Sequence, residues 1–317
     1  MKTNELILIH SDKYETPLIP YLSSAAEIRG TVVVLHNLAE HCGRYREFSL
    51  FLNQHGYDVY LYNQRGHGQD KMLEELGILS ERDGYKKLIL DAVDVLSYVS
   101  EHNRGSRLYL FGQGSGSLIA RGATQVCDLA DAVILSGTVF PTLAGSLTAS
   151  LLSALVCQFR GKNHISPFLN RFLTEGKLFR KLSERTRFDW MTRNQEAVGA
   201  YISDPYCGFV CTAGYYRNLF RLAHFVSQPI NLRQTRKDLP ILLISGDQDA
   251  VSHYGNDVIR LMVMYQKLHF TKIDCTLYEG CRHELLNEPN RQEIMSDIIG
   301  FLESSEVSDP KTDKNTF

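Results

Sequence analysis

The sequence lacks an excess of charge of either sign. Its 317 residues include 34 lysines and arginines against 36 aspartates and glutamates, which gives a net charge of −2. Proteins that bind phosphate backbones through charge carry a pronounced basic surplus. We therefore expect no nucleic-acid partner.

A long hydrophobic run is also missing from the start of the chain. The opening segment MKTNELILIHSDKYE has four consecutive apolar residues before polar ones follow, which is too few for a secretory signal or a membrane span. The seven cysteines are an odd number without regular spacing, so they predict reduced thiols rather than a disulfide framework. Together these absences predict a cytoplasmic protein without a transmembrane segment.

Metal-ligand spacing is absent as well. Cys207 and Cys211 stand close together in CGFVC, but no second cysteine pair and no neighbouring histidine in the sequence completes a zinc motif. We interpret both as buried thiols and expect neither a metal site nor a cofactor.

What the chain does contain is an alternation of apolar strands and amphipathic helices. LILIH and TPLIPYL predict an antiparallel start, and continuous apolar strands follow at 31–36, 57–63 and 107–111. Three later strands are predicted in DAVILSG, LPILLISG and IDCTLYEG. Strands that are apolar on both faces, with helices between them, imply an α/β protein with a doubly wound, mostly parallel sheet.

About a hundred residues, from Val139 to Asp238, contain no clear strand. A compact domain does not hold a structureless loop of that length, so we expect a helical cap inserted before the next strand. The predicted organisation is a core at 1–138, a cap at 139–238, the rest of the core at 239–303, and a disordered tail at 304–317. Within the cap, GSLTASLLSALVCQF is apolar and uncharged. It predicts either a buried helix or a helix that lines an acyl pocket or touches lipid.

Residues suited to catalysis lie where predicted strands end, which is where open α/β sheets build their sites. Asp249 follows LLISG and His283 follows TLYEG. Upstream, FGQGSG has the strand–turn–helix frame G-x-S-x-G, in which a strained turn lifts a central nucleophile above the sheet. The order elbow, acid, histidine is that of Ser-Asp-His hydrolases. Here, however, the central position is Gly114, and Ser115 stands one place later.

Four ordered segments resemble one family. LHNLAEHCGRYREF and NQRGHGQD are similar to the HGxGEHxGRY and DHRGHGxS motifs of monoacylglycerol lipases and bacterial lysophospholipase-like hydrolases, which are of the serine aminopeptidase S33 type. ILLISGDQDAVSHYGNDV and LYEGCRHELLNEPNR resemble the acid and histidine loops of the bacterial branch, and the likeness extends through the cap. The resemblance implies an α/β-hydrolase fold and hydrolysis of carboxylic esters. It implies that Asp249 is the triad acid, that His283 is the general base, and that the N–H groups of Leu38 and Ser115 are oxyanion donors.

Three departures from that family lie at the reaction centre. Asn37 replaces a glycine, Gln113 replaces the usual histidine, and Gly114 replaces the nucleophilic serine. A glycine cannot form an acyl-enzyme. Two hypotheses stay open: an ester hydrolase that is impaired or uses a displaced Ser115, and a non-catalytic relative that binds a lipid or ester or has a regulatory role.

Under either hypothesis we expect a small acyl ester or lipid-like ligand, with transient membrane-surface contact through the cap. If the site is otherwise intact, changing Gly114 to serine should raise esterase activity, provided that the oxyanion hole tolerates Asn37.

Overall fold

The fold is built on one eight-stranded sheet, described here from a computed structural model that covers residues 6–79, 81–174, 179, 181–182 and 185–307. The spatial order is β1-β2-β4-β3-β5-β6-β7-β8. Strand β2 pairs antiparallel with both β1 and β4, and all the other neighbouring strands pair in parallel. This confirms the predicted α/β class and the antiparallel start. The strands are β1 Leu6–Ile9, β2 Glu15–Tyr21, β3 Gly30–Leu35, β4 Tyr57–Tyr62, β5 Leu108–Gln113, β6 Ala132–Ser136, β7 Ile241–Gly246 and β8 Ile273–Tyr278.

Helices cover both faces of the sheet because the central strands are apolar on both faces. The α-helices of the described residues are α1 Arg46–Gln54, α2 Gly84–His102, α3 Ser115–Val126, α4 Leu143–Arg160, α5 Pro167–Thr174, α6 Gln195–Ser203, α7 Ala213–Ser227, α8 Pro229–Leu232, α9 Asn256–Lys267 and α10 Arg291–Val307. In β3, Val32 and Val34 pack into the core beneath α1 and α10, while Val33 and Leu35 pack toward α2, α3 and α7.

The segment between β6 and β7 carries α4 to α8 and has no strand among its described residues. Helix α7 packs on α2 and α3 of the core, and α4 packs on α7. The tail differs from its prediction at one point, because α10 continues through Val307 and so includes residues 304–307. The amphipathic spacing of the last helix runs past the boundary that composition suggested. Residues 308–317 lie outside the described part of the chain.

Close packing at the turn between β5 and α3 depends on missing side chains. A Cβ atom on Gly116 would lie 2.3 Å from the carbonyl oxygen of Leu35 and 2.5 Å from that of His36. Both obstacles are backbone atoms of the neighbouring strand end and cannot rotate away. The helix therefore begins against β3 only because residue 116 is glycine.

We predict that Gly116→Ala lowers the free energy of unfolding by about 1–3 kcal/mol, the usual cost of forcing extra atoms into a packed site. Gly199→Ala is the matched control, since Gly199 lies in α6 and a Cβ atom there would meet no described atom within 4 Å beyond the backbone of its own helix and its chain neighbours. The control should be neutral or stabilising by up to about 1 kcal/mol, because alanine is the better helix former. Urea unfolding measures both, and equal effects of the two changes would contradict this packing argument.

Candidate active site

The turn after β5 has the geometry of a nucleophile elbow. Gly114 adopts φ +51° and ψ −114°, a conformation with positive φ, and α3 begins at the next residue. Its N–H donates to the carbonyl oxygen of Ser136 at 2.9 Å, which ties the turn to β6. The backbone that would present a nucleophile is therefore built, although residue 114 carries no side chain.

Asp249 and His283 come together at the ends of β7 and β8. His283 Nδ1 lies 3.1 Å and 3.0 Å from the two carboxylate oxygens of Asp249, and both residues are buried. Gly137 leaves room for the imidazole ring, since a Cβ there would lie 2.8 Å from His283. Trp190 packs on the ring at a centroid distance of 5.5 Å. This is the contact expected between a general base and the acid that orients it.

The carboxamide of Asn37 stands where a nucleophile would stand. Its Nδ2 lies 3.1 Å from His283 Nε2, and its Oδ1 accepts a hydrogen bond from the backbone N–H of Ser115 at 2.9 Å. These partners fix the orientation of the amide, because the Ser115 N–H can only donate. They also fix the imidazole tautomer, with the proton on Nδ1 toward Asp249 and the Nε2 lone pair toward Asn37.

A side chain at position 114 and the side chain of Asn37 compete for the same space. A Cβ on Gly114 would lie 2.1 Å from Asn37 Oδ1, 2.5 Å from Cγ and 2.9 Å from Nδ2. Real Cβ atoms do not approach other atoms so closely, so one of the two groups has to move. The expectation for Gly114→Ser alone therefore stays a prediction, and it depends on the Asn37 side chain turning aside to admit the serine Cβ.

The other residues singled out from the sequence have different parts in the site. Gln113 Nε2 donates to the carbonyl oxygen of His283 at 2.9 Å and so holds the histidine loop. Ser115 contributes its backbone N–H, while its buried hydroxyl has no hydrogen-bond partner among the described residues. Leu38 lines the cavity beside Gly114, and its N–H donates to no group within the described ranges.

A buried ion cluster that the sequence analysis missed joins the loops of Asn37 and His283. Arg44 donates to both carboxylate oxygens of Glu284 at 2.9 Å and 2.7 Å and is also paired with Glu40. Glu40 in turn accepts from the backbone N–H of Asn37 at 2.6 Å. Glu40 and Arg44 lie in the segment LHNLAEHCGRYREF, but Glu284 is 240 residues from Arg44 in the chain, so the sequence alone does not show that the three meet. It fixes the backbone on both sides of the contact between Asn37 and His283.

The electrostatics of the acid and the base are those of a tightly coupled pair. Burial alone would raise the pKa of Asp249, but the charge and hydrogen bond of His283 hold it below its ordinary value. Burial alone would lower the pKa of His283, and Asp249 outweighs this and raises it. The Asn37 amide acts in the opposite sense, because its N–H can bond only to an unprotonated Nε2.

A cavity of about 840 Å³ opens onto this centre. It extends from Gly114 and His283 beneath the segment that follows β6, and its walls are mainly apolar. Many of the wall residues come from that segment, among them Ala149, Phe172, Leu173, Phe188, Leu219 and Phe220. Its size and apolar lining suit a ligand with a hydrocarbon chain.

Cys207 has a histidine neighbour in space, although none stands beside it in the sequence. Among the described residues, one group of potential ligands lies close enough to share a metal ion: His41, Asp204 and Cys207. His41 Nε2 lies 2.9 Å from the Asp204 carboxylate, while Nδ1 accepts from the N–H of Gly43. In that tautomer the proton is on Nε2, the His41 nitrogen that faces Asp204, so this nitrogen has no lone pair to offer a metal ion. We therefore interpret the contact as a hydrogen-bonded tether between two loops.

Comparison with known proteins shows the family and the fold of the chain. The model of the family "Serine aminopeptidase, S33" matches residues 26–290. A monoacylglycerol lipase of Mycolicibacterium smegmatis is 26% identical over 285 residues, which cover 87% of this chain and 89% of that protein. The monoglyceride lipase of Mus musculus is 23% identical over 271 residues, with 84% and 80% covered.

Solved structures show the same fold. A thermostable carboxyl esterase from Bacillus coagulans superposes with a TM-score of 0.85 at 22% identity, covering 96% of this chain and 99% of that one. A monoglyceride lipase from Saccharomyces cerevisiae gives a TM-score of 0.73 at 16% identity, with 96% and 95% covered. The chain belongs to the serine aminopeptidase S33 family of α/β-hydrolases and is related to monoacylglycerol lipases and esterases.

Proposed function

We propose that this protein is a lipid-binding member of its family whose ester-hydrolysing centre is closed by Asn37. The observation that carries the proposal is the pair of contacts made by the Asn37 carboxamide, to His283 Nε2 and to the N–H of Ser115. In a serine hydrolase these two groups serve the nucleophile and the oxyanion. Here a single side chain engages both of them.

The chemical consequence is that the site loses both the nucleophile that would form an acyl-enzyme and a donor that would stabilise the oxyanion. Without a hydroxyl at position 114 no acyl-enzyme can form at that position, and a carboxamide nitrogen is not a substitute nucleophile. With Oδ1 of Asn37 on the Ser115 N–H, an ester carbonyl cannot take that donor as its charge develops. The apolar cavity is unaffected by either change, so binding of an acyl ester or lipid-like molecule is retained.

The alternative is an active hydrolase that uses Ser115. Its hydroxyl is buried at the cavity wall without a described partner, so it is a chemically free group near the centre. However, His283 Nε2 is engaged by Asn37, so this serine has no base. We therefore favour the closed centre and treat labelling of Ser115 as an outcome of the test.

We predict that the wild-type protein does not react with a fluorophosphonate probe, whereas Asn37→Gly combined with Gly114→Ser does. The three atoms nearest to a Cβ at position 114 all belong to Asn37, so removing that side chain clears the space for serine. The double variant should also hydrolyse short acyl esters at least about 10³-fold faster than the wild type, the scale of a restored triad. Gel labelling and ester kinetics measure both.

Three controls separate the parts of this prediction. Asn37→Gly alone opens the oxyanion site but supplies no nucleophile, and Gly114→Ser alone retains the collision, so neither should label. Adding His283→Ala to the double variant should abolish the gained activity. The proposal fails if peptide mapping finds a wild-type adduct on Ser115, or if a double variant with native circular dichroism and melting temperature stays inert.

We also propose that the protein reaches its ligand at a membrane surface through α4. Every fourth residue on one face of this helix is exposed, and together they form a stripe of Leu143, Leu147, Leu151, Leu155 and Phe159. Phe159 is the most exposed of the five, with 80% of its surface accessible. The opposite face, with Ser146 and Ala149, lines the cavity.

Helix α4 is also the one helix, within the described ranges, that by length and composition could cross a membrane. Its contact with α7 and its place on the cavity wall fit a helix that lies on a surface. Exposed Arg160 and Lys162 follow the stripe and favour anionic lipid headgroups. The cytoplasmic location stays a prediction.

We predict that Leu151→Asp together with Leu155→Asp lowers binding to vesicles of phosphatidylcholine and phosphatidylserine by at least ten-fold, because two charges would have to enter the lipid interface. Leu90→Asp is the matched control, since Leu90 is a similarly exposed leucine on α2. Co-sedimentation measures all three proteins. Equal loss in the control, or no wild-type binding, would refute membrane contact through α4.

A further inference from the structure

One wall of the cavity carries cationic side chains that share a single carboxylate. Arg260 Nη1 lies 3.0 Å and His253 Nδ1 lies 3.2 Å from the oxygens of Asp257, and all three residues line the cavity. The carboxylate is almost completely buried, whereas the side chains of His253 and Arg260 are 61% and 46% exposed. A ligand in the cavity would therefore contact the side chains of His253 and Arg260, and the buried Asp257 carboxylate would orient them.

A third cation lies behind the same wall. Arg121 is fully buried, and its guanidinium and that of Arg260 both stand 5.6 Å from the ring of Phe140. Arg121 donates to the carbonyl oxygens of Val139 and Val226 and forms no ion pair within 4 Å with any described carboxylate. Burial lowers its pKa, which is the direction expected for a cation with incomplete counter-charge. His253 and Arg260 thus share one carboxylate, and Arg121 is a further cation beside the ring that Arg260 also contacts.

The loop that presents His253 is strained. His253, Tyr254 and Gly255 have φ values of +54°, +58° and +78°, so three successive residues adopt the left-handed conformation. This conformation is unfavourable for the first two, which have side chains. Strain of this kind persists where the surrounding structure enforces it and concentrates at binding sites. The loop also bears Asp249, which places this wall beside the centre already described.

We infer that this wall binds the anionic head group, a carboxylate or a phosphate, of a single-chain amphiphile whose hydrocarbon chain lies in the apolar cavity. The inference rests on the proposed function, because it requires that the cavity holds a lipid. Arg260 uses one described hydrogen bond, on Nη1, so its remaining N–H groups are available to an anion. A bound anion would add negative charge beside Arg260, which shares its one carboxylate with His253. A neutral glycerol head group would not.

The test compares three ligands with the same chain on the full-length protein: oleate, 1-oleoyl lysophosphatidate and 1-oleoylglycerol. Titration calorimetry below the aggregation concentration of each ligand should show both anionic ligands binding at least ten-fold tighter than the neutral ester. Arg260→Gln should close this gap to less than three-fold, while Arg260→Lys, which keeps the charge, should retain most of it. Arg46→Gln changes an exposed arginine of α1 and should leave the gap intact.

A pH series adds a second readout. The hydrogen bond of Asp257 raises the pKa of His253, so the imidazole is charged at lower pH and loses its charge as the pH rises through that value. The described charged groups that act on it are Asp257, Arg260 and Asp249, and the last is paired with His283. The anionic preference of the wild type, divided by that of His253→Gln at the same pH, should therefore fall as the pH rises through the raised pKa of His253. This ratio removes the titration of the phosphate ligand itself, which is the same for both proteins.

The outcomes distinguish this inference from the function on which it rests. If 1-oleoylglycerol binds as tightly as the anionic ligands, or if Arg260→Gln preserves the gap, the head-group site is refuted and the lipid cavity stands. If none of the three ligands binds to folded protein, the proposed function is refuted and this inference with it.

Discussion

The hydrogen bonds of one carboxamide determine what this site can do. Asn37 presents an N–H to His283 and an oxygen to the N–H of Ser115, so it satisfies two polar groups that would otherwise face the cavity unpaired. Because buried polar groups are costly to leave without partners, this arrangement is self-consistent. Gly114 and Asn37 form a complementary pair, since the space for the carboxamide exists only because residue 114 has no side chain.

The rest of the structure holds this contact in place. Arg44 bridges Glu40, which binds the backbone of Asn37, and Glu284, which follows His283 in the chain. Ala39, two residues after Asn37, is held at φ +54°, and its carbonyl oxygen accepts from Gly208 and Tyr201 of the segment after β6. Removing Asn37 should therefore alter the contents of the site more than its shape. This is the physical reason for expecting that function can be changed there by few substitutions.

The sequence predicted the local features well and the contacts across the chain poorly. Strand positions, the elbow and the meeting of Asp249 with His283 follow from apolar runs and from the rule that polar residues gather at strand ends.

The sequence also marked Asn37 and Gly114 as unusual, but only their three-dimensional proximity shows that each requires the other. The sequence did not show the cluster around Arg44, because Glu284 is 240 residues away in the chain, or the wall of His253, Asp257 and Arg260, because it depends on a strained loop. The uncharged segment GSLTASLLSALVCQF left two predictions open, and both faces of α4 are now accounted for: one lines the cavity and the other is exposed.

The most direct measurement is a crystal structure of the wild-type protein at a resolution that places the side chain of Asn37. The account predicts its amide nitrogen about 3 Å from His283 Nε2 and its oxygen about 3 Å from the Ser115 nitrogen, the ordinary lengths of such hydrogen bonds. It would be contradicted by an Asn37 side chain turned away from Gly114, with water on the Ser115 N–H or with the Ser115 hydroxyl bonded to His283.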